Sequence, residues 1–212
     1  STGKVAWSHS LGSIVAAPAL DTSTGLLVVS RTNGDVTALK VSSGATDWSF
    51  STSKAVTASA SIYKGVVYVG STNDYIYAIS ESSGKQIWDY KTEGPVTDTG
   101  ALSSQYTGGF LALLIGSSTG DLYILHASDG KVAIEKTYSS GIVGVAAVKG
   151  MVVIETAKGQ LDAARTYSGI GVWKYQTGGD LVTAPVLIDG GIFVTAEDGN
   201  LYAFTPYGDP PD

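Results

Sequence analysis

The chain repeats itself. The segment NGDVTALKVSSGATDW, Asn33–Trp48, aligns without a gap with Asn73–Trp88, Thr119–Ile134 and Lys158–Trp173. A further copy opens at Asp198 as DGNLYAFTPYG and stops short of its tryptophan, while the chain begins with STGKVAW, the piece that copy lacks. The anchors Trp7, Trp48, Trp88, Ile134 and Trp173 are separated by 41, 40, 46 and 39 residues. The long interval is assigned to SSQYTGG, Ser103–Gly109, where other copies have the short turns YKGV and VKGM. A fixed period of this length means one supersecondary unit per copy, none of which can bury its apolar surface alone.

Within the second copy the pattern predicts strands starting at Val56, Val66, Tyr75 and Lys85, separated by Lys64-Gly65, Asn73-Asp74 and Ser83-Gly84, all hairpin punctuation. The second strand of each copy, LLVVS, VVYVG, LALLIG or MVVIE, is continuously apolar, and so is expected to be covered on both faces. Four-stranded units with two apolar faces stack radially. The expected fold is therefore an all-β, five-bladed β-propeller of antiparallel four-stranded blades, its ring closed by N- and C-terminal strands that share one blade. Five consecutive blades cut from a larger ring are the alternative. Residues 1–206 are read as a single propeller domain and 207–212, ending in DPPD, as a Pro-rich tail or the start of a linker. Because residue 1 is serine, a processed protein or an excised domain is expected.

The motif G-x-[LVI]-[YT]-A-[LI] followed by S-G-K and Trp, best seen in DYIYAISESSGKQIW and DGNLYAF, resembles the PQQ-like (quinoprotein-like) propeller repeat over nearly the whole chain. The resemblance implies that Trp7, Trp48, Trp88 and Trp173 dock between adjacent blades. It also implies roles ranging from quinone-dependent dehydrogenases to outer-membrane assembly scaffolds and sensor domains, because a fold does not fix a function. Quinoprotein dehydrogenases pair the blade with a calcium, a catalytic Asp and often vicinal cysteines. This sequence has no cysteine and no clustered acidic motif, so no cofactor and no metal site are expected.

Composition narrows the choice further. The formal net charge of −6 disfavours nucleic acid and anionic membrane surfaces as partners. Two histidines, His9 and His126, do not make a multi-histidine metal site, and no phosphate-binding glycine loop is present. No apolar run is long enough for a transmembrane helix.

On a repeated scaffold, specific function is sought where one copy departs from the others. Asp98 aligns with Ala17, Ala58, Val145 and Ala184, and Glu155 with Ser30, Gly70, Gly116 and Thr195; one position after that column, Arg31 stands against Ser71, Ser117, Thr156 and Ala196. These three are the candidate ligand-binding residues. Asp98 and Glu155 together would suit glycoside hydrolysis, which needs two carboxyls. The favoured reading instead has Asp98 capping a turn beside Thr97 and Thr99, and Glu155 paired with a base such as Lys158. Gln105, Tyr106 and Thr107 of the third-copy insertion form the candidate partner loop.

No catalytic residue is assigned. The function expected is a non-catalytic binding, scaffold or sensor domain presenting loops to a protein, peptide or glycan partner, in an extracytoplasmic or cell-surface setting. The alternative is a quinone-dependent dehydrogenase-like or glycosidase-like enzyme acting at the channel mouth.

Overall fold

A computed structural model describes residues 3–104, 109–148, 150–166, 168–188 and 191–205. The candidate loop residues Gln105, Tyr106 and Thr107 and the tail 207–212 lie outside the described residues. Within them the chain forms five antiparallel sheets and no helix. The first holds β1 (Ala19–Asp21), β2 (Leu26–Ser30), β3 (Asp35–Lys40) and β4 (Thr46–Ser51). The second holds β5 (Ser61–Tyr63), β6 (Val66–Ser71), β7 (Tyr75–Ser80) and β8 (Gln86–Lys91). The third holds β9 (Ala101–Ser103), β10 (Ala112–Gly116), β11 (Asp121–His126) and β12 (Val132–Thr137). The fourth holds β13 (Ile142–Val148), β14 (Met151–Thr156), β15 (Gln160–Arg165) and β16 (Gly171–Gln176). The last has three strands, β17 (Val186–Ile188), β18 (Gly191–Thr195) and β19 (Leu201–Phe204).

Burial on both faces explains the continuous apolarity of the second strands. In β6, Val67 and Val69 join the core shared with the first sheet, while the intervening Tyr68 joins the core shared with the third. Corresponding cores lie between the third and fourth sheets, around Leu114, Ile124, Ile142 and Ile154, and between the fourth and last, around Val153, Leu161, Ile192 and Val194. Each sheet is thus covered by its neighbours in sequence order.

Contacts between sheets are set by one recurrent joint. The turn before each outer strand carries a glycine in the left-handed region, Gly44 (φ 71°), Gly84 (φ 67°), Gly130 (φ 71°) and Gly169 (φ 65°). Against that turn lies the anchor residue of the preceding copy. A Cβ placed on Gly84 would stand 2.8 Å from Trp48, one on Gly130 2.7 Å from Trp88, and one on Gly44 2.5 Å from Trp7. The indole N–H groups then donate to backbone carbonyls of the same turns, Trp7 to Val41 at 2.8 Å, Trp48 to Glu81 at 2.5 Å and Trp88 to Ala127 at 3.0 Å. Ile134 faces Gly169 in the same way but at 3.4 Å. Trp173 stacks on Phe204 of the last sheet, with centroids 5.2 Å apart.

The two ends of the array differ. Among the described residues, 3–18 form no strand and no sheet contains strands from both ends, so the shared closing blade expected from the sequence is not seen among them. The N-terminal segment is seated on the first sheet. Trp7 occupies the first sheet's glycine turn, His9 Nδ1 lies 2.7 Å from the Gly44 carbonyl, and Thr32 N–H donates to Ser13 O. Val29 and Leu39 of the first sheet are buried. At the other end Leu201 is in register with Thr195 as Val36 is with Ser30, Ile76 with Gly70, Leu122 with Gly116 and Leu161 with Glu155. Those four are buried against the following sheet, whereas Leu201 is 67% exposed.

The joint makes a graded prediction. Gly84→Ala combines a left-handed backbone with a clash on Trp48, and is expected to destabilise by more than the ~1–2 kcal/mol that the backbone alone costs. Gly169→Ala meets only Ile134 at ordinary contact distance, and should cost about the backbone penalty alone. Urea unfolding of the two variants in parallel reads the difference, and equal losses would show that the ring contact adds nothing.

Candidate functional site

Of the three candidate ligand-binding residues, the structure brings two together. Asp98 precedes β9, and Glu155 lies on β14, in register with Gly144 on one side and Leu161 on the other. Asp98 is 3% exposed and Glu155 fully buried. Backbone N–H groups of Gly116, Thr99 and Val145 act on the Asp98 carboxyl, which places it between the third and fourth sheets. Its Oδ2 has no hydrogen-bond partner, and neither Glu155 Oε1 nor Oε2 has one.

Loss of solvation dominates the electrostatics. Burial pushes the Asp98 carboxyl up to about 8, against the opposing pull of its three amide donors. Burial likewise pushes Glu155 up to about 8, and the neighbouring charge of Asp98 adds to the rise. Two like charges near one another in a low-dielectric core cannot both ionise cheaply, so the dyad holds protons at neutral pH. The expected pairing of Glu155 with Lys158 is not made, because the glutamate side chain points into the core rather than to solvent. Asp98 does engage the Thr99 amide, as a turn cap would, but its wider setting is this sealed inter-sheet pocket of backbone amides.

Arg31 stands apart from the dyad. Its Nη1 pairs with Asp35 Oδ2 at 3.0 Å on the first sheet. His126 stacks face to face on Phe110, with ring centroids 3.5 Å apart. The other buried acids on the strands are satisfied: Asp121 accepts from Thr137 and Thr119, and Asp162 from Gln160 and Lys174. Among the described residues no group of three or more His, Asp or Glu side chains is placed to hold a metal ion. Glu81, which sequence comparison did not single out, is 1% exposed with Oε2 unpartnered. Its signal was present in the repeat, for the equivalent positions hold Val41, Ala127 and Thr166.

A sealed carboxyl pair can hold and exchange protons, but glycoside hydrolysis requires the two carboxyls to flank a bound sugar. The dyad is built into the packing between two sheets.

Sequential antiparallel sheets, four of them four-stranded, packed face to face and joined by a repeated anchor side chain on a glycine turn, define a β-propeller of the PQQ-like repeat type. The chain belongs to the family described as outer membrane protein assembly factor BamB, whose sequence profile matches residues 1–143 and again 135–207. Among solved structures it is similar to BamB from Moraxella catarrhalis, with a TM-score of 0.77 at 19% identity, covering 92% of this chain and 62% of that one. The computationally designed Ika8 protein gives a TM-score of 0.77 at 19% identity, over 89% of this chain and 57% of its own. Quinohemoprotein alcohol dehydrogenase ADHIIG from Pseudomonas putida HK5 gives 0.73 at 16% identity, over 92% and 41%. The chain therefore spans less than two thirds of each of these proteins. No curated protein matches the sequence.

The dyad predicts an inverted pH dependence. In the unfolded chain both carboxyls titrate near the ordinary range of about 4. Their raised folded values mean that the native state binds more protons between about pH 4 and 8, so their contribution is complete below that window and is lost as pH rises through 8. Relative to the double variant Asp98→Asn/Glu155→Gln, wild type is expected to lose at least about 2 kcal/mol between roughly pH 5 and 9. Thermal melts across that range test it, and parallel curves for the two proteins would show that the carboxyls titrate normally.

Proposed function

We propose that this chain is a non-catalytic interaction propeller that binds an extended segment of a protein partner at its last sheet, in an extracytoplasmic setting. One observation carries the reading: among the described residues β19 is the outermost strand of a three-stranded sheet whose four counterparts each have a fourth strand. An open edge offers unpaired N–H and C=O groups to an incoming strand, the mode of recognition known as β-augmentation. The adjoining face adds apolar surface, with Val186, Ile188 and Leu201 each more than half exposed. Apolar exposure across one face of a sheet is characteristic of interaction sites. Membership of a family described as an assembly factor supports a protein rather than a glycan partner.

A second reading rests on Trp7. Its seat on Gly44 and Val41 reproduces that of Trp48 on Gly84 and Glu81, so residues 4–7 already stand where the outer strand of a preceding sheet would be. If the last sheet swung onto that segment, the five-bladed ring closed by the chain's own ends would result. Enzymatic readings have less support, because the two candidate carboxyls are enclosed by packing.

The experiment is a titration with a peptide of the β8 region, GKQIWDYKT, followed by amide chemical shifts. Perturbation confined to residues 201–204 and weakened by Leu201→Lys is the expected result. Binding that appears only after residues 1–9 are removed would favour ring closure by the chain's own strand, and no perturbation in either protein would overturn the interaction reading.

A further inference from the structure

The groove between the first and second sheets holds an acid whose position no packing requirement explains. A cavity of about 700 Å³ opens there, lined by Thr24, Leu26, Lys40, Val41, Asp47 and Glu81 among others. Glu81 is 1% exposed. One of its oxygens is fixed, since Thr24 Oγ1 donates to Oε1 at 2.6 Å. The other, Oε2, is buried without a hydrogen-bond partner.

The repeat shows how unusual this is. Backbone N–H groups of Val41, Glu81, Ala127 and Thr166 donate to Gly25, Leu111 and their equivalents in the same way, Glu81 to Gly65 O and Thr166 to Gly150 O. The four residues are therefore structurally equivalent, and only Glu81 is charged. Val41 and Ala127 satisfy the scaffold with apolar side chains, and Thr166 returns its hydroxyl to Gly150 O at 2.9 Å. A buried carboxylate oxygen left unpaired costs several times what a made hydrogen bond gains, so an acid at this point has to be repaid by a donor.

Charge decides what kind of donor. Lys40 Nζ is engaged by Asp47 Oδ1 at 3.3 Å, while the Asp21 carboxyl lies within hydrogen-bonding reach of Glu81, so negative charge is in excess at the Glu81 end of the cavity. Leu26 and the partly exposed Val41 supply an apolar wall alongside it. An apolar wall ending in one fixed carboxylate fits a flexible alkyl stem with a cationic head, the amphipathic form of a lysine side chain.

We propose that the groove between the first and second sheets binds a primary alkylammonium group, with the head on Glu81 Oε2 and the stem along Leu26 and Val41. The group could arrive as a free amine or as a lysine side chain of a peptide. This site is separate from the last sheet and does not depend on the interaction role proposed for it.

The probes are n-butylammonium chloride and lysine blocked as its N-acetyl amide, titrated into the full chain with amide chemical shifts and Trp fluorescence as readouts. Trp48 is a local reporter, because its indole donates to the Glu81 carbonyl. Saturable shifts at residues 24–26 and 81–82, weakened about tenfold or more in Glu81→Gln, are expected. Glu81→Gln keeps an oxygen for Thr24, so its unfolding midpoint should stay close to that of wild type. Binding of both probes identifies a side-chain site, and binding of butylammonium alone identifies a free-amine site; either supports the assignment. Absence of saturable shifts, or equal affinity in Glu81→Gln and wild type, overturns it.

Discussion

Four of the five sheets are joined to the segment before them by an anchor side chain of one copy lying on a glycine of the next: Trp7, Trp48, Trp88 and Ile134. The joint couples two levels of structure. A left-handed residue is needed to turn the chain into the outer strand, and the absence of a Cβ at that same residue lets the indole approach to within contact of the backbone. One glycine thus satisfies a local demand and a tertiary one, which is why it recurs at Gly44, Gly84, Gly130 and Gly169. The indole N–H adds direction: by donating to a carbonyl at the start of the turn, as Trp88 does to Ala127, it fixes the lateral position of one sheet against the next. Dispersion and area burial between two apolar sheets would permit sliding. The hydrogen bonds of Trp48 and Trp88 do not, and they pin the first three sheets against one another.

Because coupling runs only between neighbours, the two ends of the array have to be treated differently from its middle. The N-terminal segment solves the problem at the first sheet by seating Trp7 where a preceding blade would have put its own tryptophan, and the sheet behind it is buried accordingly. The last sheet has no equivalent among the described residues, and its repeat positions carry apolar side chains into solvent. Leu201 illustrates the point, being chosen by the same pattern that buries Val36, Ile76, Leu122 and Leu161. The exposed face is thus a property of position in the array and not of local sequence.

That distinction marks what could be read from the sequence. The period, the strand pattern and the two-sided burial of the second strands were legible because each is repeated, and repetition separates fold from noise. Ile134 was recognisable as a tryptophan substitute for the same reason. The outliers Asp98 and Glu155 were also visible, yet their relation was not: Asp98 lies in the segment before β9 and Glu155 on β14 of the adjacent sheet, and only inter-sheet packing brings Glu155 within electrostatic reach of Asp98. Nor could alignment show that Glu155 turns into the core, away from Lys158. Closure of the ring depends on curvature summed over all the sheets, which no single copy encodes. Glu81 stands one residue past β7, where the chain enters the turn, in a column the other copies fill with Val41, Ala127 and Thr166, and a single acid at a turn reads as solvated until packing buries it.

Asp98, Glu155 and Glu81 share a location type that bears on how such a scaffold acquires function. Each lies at an interface between adjacent sheets, where the repeat ordinarily places a small or apolar side chain and where each acid retains at least one unpartnered oxygen. The interfaces differ in access. Between the third and fourth sheets the acids are enclosed, and their cost is met by taking up protons. Between the first and second, the acid borders a cavity and can be met by a cation from outside. The repeat supplies stability through redundancy, so that one interface can carry an unfavourable charge while the others hold the array together. Specific chemistry in a propeller is therefore to be sought at the joints between sheets as well as in the loops that connect their strands.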